Sequence, residues 1–308
     1  MEVSVIIPTF NAQKYLPKLL KALSQQTLAH ELIIIDSSST DETLKIAKEY
    51  TNSVITIPQK EFDHGGTRTL ACDYAHGDLV IFLTQDVLPY NNESLERLVK
   101  MFEDPAIAAV YGRQIPYDST SIFGKHLRLF NYPASSHIRK LEDRKKYGIK
   151  TAFLSDSFAG YRKNILDSVG RFKKGMIMGE DMEIGARLLH AGFRIGYASD
   201  AIVYHAHSYT MQQEFKRYFD IGVFHSREKW ILDSFGKPEK EGNKFIHSEF
   251  NYLLEQKSYH LIPSFLLRNG LKYLGYKLGR KYRHLPLSLT KKMSMHGTWW
   301  ETNHHKNR

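Results

Sequence analysis

The chain of 308 residues has one cysteine, Cys72. A lone thiol excludes a disulfide framework and a thiolate zinc site, and it fits a reducing compartment. Long apolar runs are also missing: the stretch 79–83 is among the longest, far short of the roughly 20 residues that span a bilayer. The amino terminus lacks a basic segment with a small-residue cleavage site, so a cytoplasmic location is expected. Neither G-x-G-x-x-G nor G-x-x-x-x-G-K-[S/T] follows the first apolar run, which disfavours a Rossmann dehydrogenase and a P-loop enzyme. No internal repeat appears. Acid is nearly absent from the last 53 residues, where Glu301 stands against eleven Lys or Arg, whereas the preceding 255 residues carry 32 of each sign. A neutral body with a basic tail points to an anionic partner: a membrane, a nucleic acid or another polyanion.

What is present is ordinary globular material. Apolar residues make up 42% and charged residues 25%, enough for a sizeable core in one large or two small domains. Apolar runs at 3–7, 31–35, 53–57 and 79–83 read as strands. Helical periodicity or cap signals fill 12–26, 40–50 and 67–76 between them. Near-continuous apolar strands separated by helices predict a mostly parallel α/β sheet covered on both faces. Such sheets bind ligands beyond the carboxyl ends of their strands, here residues 8–11, 36–39 and 84–86. The run His64-Gly65-Gly66-Thr67-Arg68 is either a turn whose N–H groups and arginine hold phosphate or an ordinary tight turn. A further strand is expected at 106–113, an irregular flap at 117–150, a small polar stretch at 155–160, an amphipathic helix from Gly179 to Gly192, and a strand at 193–204.

The chemistry-bearing residues fall at element ends. Asp86 closes the 79–83 strand, as a cap or as a ligand for a hard cation. Glu180 and Asp181 open a helix, where acids complement the dipole, and where a carboxylate in a cleft can also act as a general base. His205 and His207 follow a strand at i and i+2, so they point the same way, as two ligands or as one ligand and its support.

Together these motifs resemble the family 2 inverting glycosyltransferases of GT-A fold. The resemblance rests on Val5-Ile6-Ile7-Pro8-Thr9-Phe10-Asn11, Ile33-Ile34-Ile35-Asp36-Ser37-Ser38-Ser39-Thr40-Asp41, the strand ending at Asp86, and Gly179-Glu180-Asp181-Met182-Glu183, in the family order over residues 1–225. Within the family, residues 61–68, Thr84-Gln85-Asp86 and 215–220 are similar to bacterial rhamnosyltransferases of O-antigen and other surface polysaccharides. The resemblance implies that Pro8, Thr9, Phe10, Asn11, Asp36 and Ser38 serve the nucleoside of a sugar nucleotide. Gly65, Gly66 and Arg68 would lie near its diphosphate, with Thr84, Gln85 and Glu180 completing the donor site. Asp86 matches the last acid of the D-x-D metal motif, Asp181 the catalytic base, and His205 a histidine that completes the metal site, with His207 as alternative. The implied cofactor is a divalent metal, Mg2+ or Mn2+. Two departures stand out: Thr84 occupies the place of the first D-x-D acid, and position 69 is Thr where the subgroup usually has Asn. One displacement at the anomeric carbon needs a base and a stabilised leaving diphosphate but no enzyme nucleophile.

The resemblance further implies dTDP-L-rhamnose, or else a UDP-hexose or UDP-N-acetylhexosamine, as donor, and a polyprenyl-linked or oligosaccharide acceptor at the inner face of the cell membrane. The expected division is a GT-A domain at 1–225, with a nucleotide-sugar half at 1–115 and an acceptor and base half at 116–225, followed by a helical basic region at 226–308. In that region Leu267, Leu271, Leu274 and Leu278 fall on one helical stripe, with Arg268, Lys272, Arg280 and Arg283 off it and Trp299 and Trp300 downstream. The stripe fits an anionic membrane surface, or packing on the domain or on a second copy in a homodimer. No nucleic-acid motif accompanies it.

Overall fold

The computed structural model describes residues 1–303, the last two by their backbone alone. Lys306 and Arg308 of the basic tail lie outside the described residues. The first half alternates as expected: β1 (Val3–Thr9), α1 (Leu16–Ser24), β2 (Glu31–Asp36), α2 (Thr43–Lys48), β3 (Val54–Thr56), α3 (His64–Ala71), β4 (Leu79–Leu83), β5 (Leu88–Pro89), α4 (Ser94–Lys100) and β6 (Ile107–Ile115). Every residue of β4 is buried, and α1 seats Leu16, Leu19, Leu20 and Leu23 on the sheet. Each such leucine stabilises the fold by about 1.5–3 kcal/mol through burial. Then come α5 (Ile122–Asn131), β7 (His137–Arg139), α6 (Arg144–Tyr147), β8 (Phe158–Arg162), α7 (Lys163–Ser168), α8 (Glu180–His190), β9 (Arg194–Tyr204) and α9 (Met211–Arg227).

One nine-stranded sheet runs β3-β2-β1-β4-β8-β6-β9-β5, with β7 beside β9. The strands up to β4 are mutually parallel, as are β6 and β9. The 155–160 stretch corrects the reading from composition: it leads into β8, which pairs antiparallel with both β4 and β6 at the centre of the sheet. Small residues conceal it, because Ala159 and Gly160 offer little apolar signal although both are buried. The 117–150 segment is likewise not an irregular flap. It holds α5, capped by Ser121, whose Oγ accepts the Gly124 N–H. Helix α3 starts three residues earlier than its periodicity suggests, because Asp63 caps it.

Beyond residue 226 the described chain is helical: α10 (Lys229–Phe235), α11 (Glu239–Glu255), α12 (Ile262–Arg280), α13 (Leu287–Met293) and α14 (Gly297–Asn303). Helix α12 lies on α9 at backbone contact. A Cβ on Gly275 would come within 2.5 Å of the Phe215 carbonyl oxygen, and one on Gly279 within 2.0 Å of that of Phe219. This approach turns part of the leucine stripe outward, while Leu278 packs against the core. Leu267 and Leu274 are 53% and 49% exposed, while Lys272 is 7% exposed. Packing of the whole stripe on the domain is thereby corrected. Lys272 is buried over the Phe245 ring and lies 3.7 Å from both Glu214 and Glu249. Among the described residues, no helix is long and apolar enough to cross a membrane.

Candidate active site

The carboxyl ends of β1, β2 and β4 meet at loops tied by side chains. Asp36, fully buried, accepts from Thr9 Oγ1 at 3.0 Å, Ser39 N at 2.8 Å and Ser39 Oγ at 2.6 Å. Asn11, at positive φ, accepts the Thr40 N–H, and Ser38, also at positive φ, bonds to the Ile57 carbonyl. Gln85 accepts from Phe10 N and donates to Phe10 O, joining the β4 loop to the β1 loop. Beside these loops lies a crevice of about 830 Å³, large enough for a nucleotide-sized ligand. Pro8, Thr9, Phe10, Arg68, Thr84 and Gln85 line it. Asn11, Asp36 and Ser38 act from behind that lining, holding the loops in shape.

The glycine turn is rearranged relative to a phosphate cradle. Gly66 N–H donates to the Asp63 carboxylate at 2.6 Å. A Cβ on Gly65 would sit 2.1 Å from the Lys173 carbonyl oxygen, so this residue lets α3 pack against the chain before α8. Arg68 is almost fully buried. Its Nη1 donates to Glu180 Oε1 at 2.9 Å and to the His64 carbonyl, and its Nε lies 3.3 Å from Asp156 Oδ2. Thr69 Oγ1 donates to the Phe172 carbonyl.

A second cavity of about 550 Å³ adjoins the crevice; His64, Arg68, Thr84 and His296 line both. Asp181 lines it at the start of α8, where Gly179 reverses the chain at φ 82°. Any side chain at Gly179 would meet the Phe224 ring as well as the cost of that conformation. Asp181 Oδ1 accepts the Met182 N–H at 2.7 Å. Burial, then the neighbouring Glu180 and Asp156, push the Asp181 carboxyl well above its usual range. Burial raises Asp156 to about 6 against the pull of Arg68. Burial also opposes ionisation of Glu180, but Arg68 overrides it and holds Glu180 below its usual value. One cation among three carboxylates leaves Asp181 as a proton acceptor of raised basicity.

The same cavity is lined by Asp86, His205 and His207, whose ligand atoms all lie within 4.8 Å of one another. Asp86 Oδ2 is 3.5 Å from His205 Nε2 and 3.7 Å from His207 Nε2. The Asp86–His205 separation is too long for a good hydrogen bond, and the tautomer explains it. Gln114 Oε1 accepts from Arg128 at 2.8 Å, and Gln114 Nε2 donates to Ser155. The same oxygen, 2.7 Å from His205 Nδ1, must therefore accept that ring's proton. Burial pushes His205 below its usual pKa and His207 down to about 4, so neutral His205 turns its Nε2 lone pair toward a carboxylate. Burial alone would raise Asp86; donation and charge from protonated His205, a hydrogen bond from Thr84 and the charge of protonated His207 would hold it well below the usual range. Facing lone pairs, with the Gln114 amide fixing the His205 ring from behind, fit a divalent cation. The two histidines, alternatives in the sequence, converge together and make up for the acid replaced by Thr84. Asp156, Gln114 and His296 escaped the sequence reading. Their partners lie far along the chain, and only the isolated acid between Ser155 and Ser157 gave any signal.

Comparison with known proteins bears on the family and the fold. Residues 4–170 match the profile of Glycosyl transferase family 2. The chain is 42% identical over 303 residues to the O-antigen chain rhamnosyltransferase RfbN of Salmonella typhimurium, covering 97% of this chain and 96% of that one. It is 43% identical to the O-antigen chain rhamnosyltransferase WbaN of Salmonella anatum, at 96% and 95% coverage. Among solved structures, a mannosyltransferase of Pyrobaculum calidifontis in complex with GDP-Man and Mn2+ superposes with a TM-score of 0.59 at 17% identity, covering 100% of this chain and 88% of that one. The 1–349 fragment of Staphylococcus aureus TarS gives 0.57 at 18% identity, with 100% and 92% covered. These likenesses bear out the GT-A fold.

Proposed function

Because the chain belongs to glycosyl transferase family 2, we propose that it transfers L-rhamnose from dTDP-L-rhamnose, with inversion, to a hydroxyl of a lipid-linked or growing surface polysaccharide. The observation that carries the reading is the convergence of Asp181 and the Asp86–His205–His207 cluster on one cavity that opens into the donor crevice. The choice of rhamnose is supported by the near full-length likeness to two O-antigen rhamnosyltransferases.

In this reading the nucleoside lies along Pro8, Thr9 and Phe10. Asp181 takes the proton of the acceptor hydroxyl as its oxygen attacks the anomeric carbon, and the bond to the diphosphate breaks on the opposite face. Asp86, His205 and His207 would hold a divalent cation, Mg2+ or Mn2+, whose positive charge would offset that of the leaving diphosphate. Arg68 acts through its ion pairs, fixing Glu180 and hence the first turn of α8 that carries Asp181.

The test is release of nucleoside diphosphate from dTDP-L-rhamnose, UDP-glucose and UDP-N-acetylglucosamine, with and without Mg2+ or Mn2+, in the presence of membrane extract as acceptor source. Metal-dependent release of dTDP is expected. Asp181→Asn should lower turnover by about 10²–10⁴-fold while nucleotide binding persists. Since the base must be unprotonated, activity should rise with pH on the alkaline side of an ordinary aspartate. Release from a UDP-sugar alone would keep the chemistry and change the donor. No release and no nucleotide binding would leave a polyanion-binding protein.

The outward face of α12, with Leu266, Leu267, Tyr273 and Leu274 exposed and Lys277, Lys281 and Arg283 also at the surface, suits the anionic inner surface of the cell membrane. Co-sedimentation with vesicles containing anionic lipid should be lost in a Leu266→Ser, Leu267→Ser, Leu274→Ser variant. Dimerisation that the same variant abolishes, without vesicle binding, would assign the face to a second copy.

A further inference from the structure

We infer that residues 294–301 are a working wall of the donor site, with His296 at the diphosphate of the nucleotide sugar and Trp299 beside its nucleoside. The inference rests on the glycosyltransferase reading and adds a contact from beyond the residues that match the family profile, which end at 170.

His296, Thr298 and Trp299 line the donor crevice opposite the loops that follow β1 and β2. His296 also lines the cavity that holds Asp181 and Asp86. A donor whose nucleoside occupies the crevice and whose sugar enters the cavity must carry its diphosphate through the junction, which His296 shares with His64, Arg68 and Thr84. The two imidazoles meet edge to face at 5.5 Å. Burial lowers His64 and brings His296 down to about 4, so each is a neutral ring with one N–H to donate to an anion.

The segment is anchored with no ligand present. Asp220 Oδ2 accepts the Met295 N–H at 2.8 Å, and Ser294 Oγ accepts the His296 N–H at 2.9 Å. Trp300 is 4% exposed and packs against Phe219 and Tyr282. Trp299 Nε1 donates to the Gly175 carbonyl at 3.2 Å, and the Arg227 guanidinium lies 5.0 Å from the centre of its ring. A segment held at several points presents its side chains at small ordering cost on binding.

The experiment is calorimetric titration of the full chain with dTDP and, separately, with thymidine. His296→Ala is expected to weaken dTDP about three- to ten-fold, the worth of one neutral hydrogen bond, and to leave thymidine unchanged. Trp299→Ala is expected to weaken both. Thr298 is exposed, so Thr298→Trp should fold normally and obstruct both ligands even if Trp299→Ala melts early. Wild-type binding of dTDP that survives His296→Ala and Thr298→Trp unaltered, in folded protein, would overturn the inference alone. Failure of the wild type to bind any nucleoside diphosphate would overturn the donor reading with it.

Discussion

Two groups of buried charge line the same cavity, and they finish their bonding differently. On the α8 side, Arg68 bridges Asp156 and Glu180, and Tyr161 donates to Asp156 at 2.5 Å. On the β4 and β9 side, Asp86 and His205 present acceptor atoms to one another, and the only good donor on His205 is already given to Gln114. The first group builds the wall by pairing opposite charges, although Arg68 Nε and Asp156 Oδ2 meet as an ion pair without a hydrogen bond. The second is open, its lone pairs aimed at a common point. Polar groups paired with opposite charge hold a fold in shape, and acceptors that face one another call for a cation or a donor between them. Asp36, Asn11 and Ser38, each held by hydrogen bonds, are likewise builders of the donor loops.

The largest effect expected from this contrast is on the paired side. Arg68→Met leaves Glu180 and Asp156 buried without their cation, and breaking a buried pair in this way costs about 3–5 kcal/mol. Urea denaturation monitored by circular dichroism measures it. A loss below about 1 kcal/mol would mean that water already screens the network, and the contrast would fail.

On the open side the sign reverses. Asp86→Asn replaces a carboxylate with an amide that can donate to His205 Nε2. Stability of the metal-free protein should hold, or rise by up to about 1 kcal/mol. Mn2+ affinity, read by electron paramagnetic resonance, should fall at least ten-fold. A variant that loses stability and keeps Mn2+ would show the cluster to be another paired network.

Much of the frame and some of the site were legible in the sequence, for identifiable reasons. The strands β1, β2 and β4 are uninterrupted apolar runs, and Asp86 and the His205–His207 pair stand at strand ends, where position carries meaning. Central strand β8 was hidden because glycine and alanine give a packed strand no hydrophobic signal. Arg68 was visible as a residue but not as a member of a network, since Asp156 and Glu180 are distant in sequence and only folding joins them. Helix α12 was only partly legible because its leucines form the obvious stripe. Its packing face is instead written in Gly275 and Gly279, whose missing side chains admit the backbone of α9.

Asp220 offers a third way of burying a carboxyl, with an effect that shows only as a slope against pH. It is fully buried at the anchor of the 294–301 segment, with the Met295 N–H as a donor. Burial pushes it up to about 7, against weaker pulls from Ser294, Met295 N–H, Arg217 and Lys216. It therefore neither pairs like Asp156 nor stays ionised like Asp86, but holds a proton. An unfolded aspartate titrates near about 3.9. Below that pH both states are protonated and the contribution is fully present. As pH rises from about 4 to about 7 the unfolded chain releases a proton that the folded protein keeps, and stability falls by at most about 1.4 kcal/mol per pH unit. Asp220→Asn retains an acceptor for the Met295 N–H and cannot titrate. Its denaturation free energy should be flatter than wild type across that window. Equal slopes would mean that Asp220 is ionised in the folded protein, and the anchor of the donor wall would then join the charged networks rather than stand apart from them.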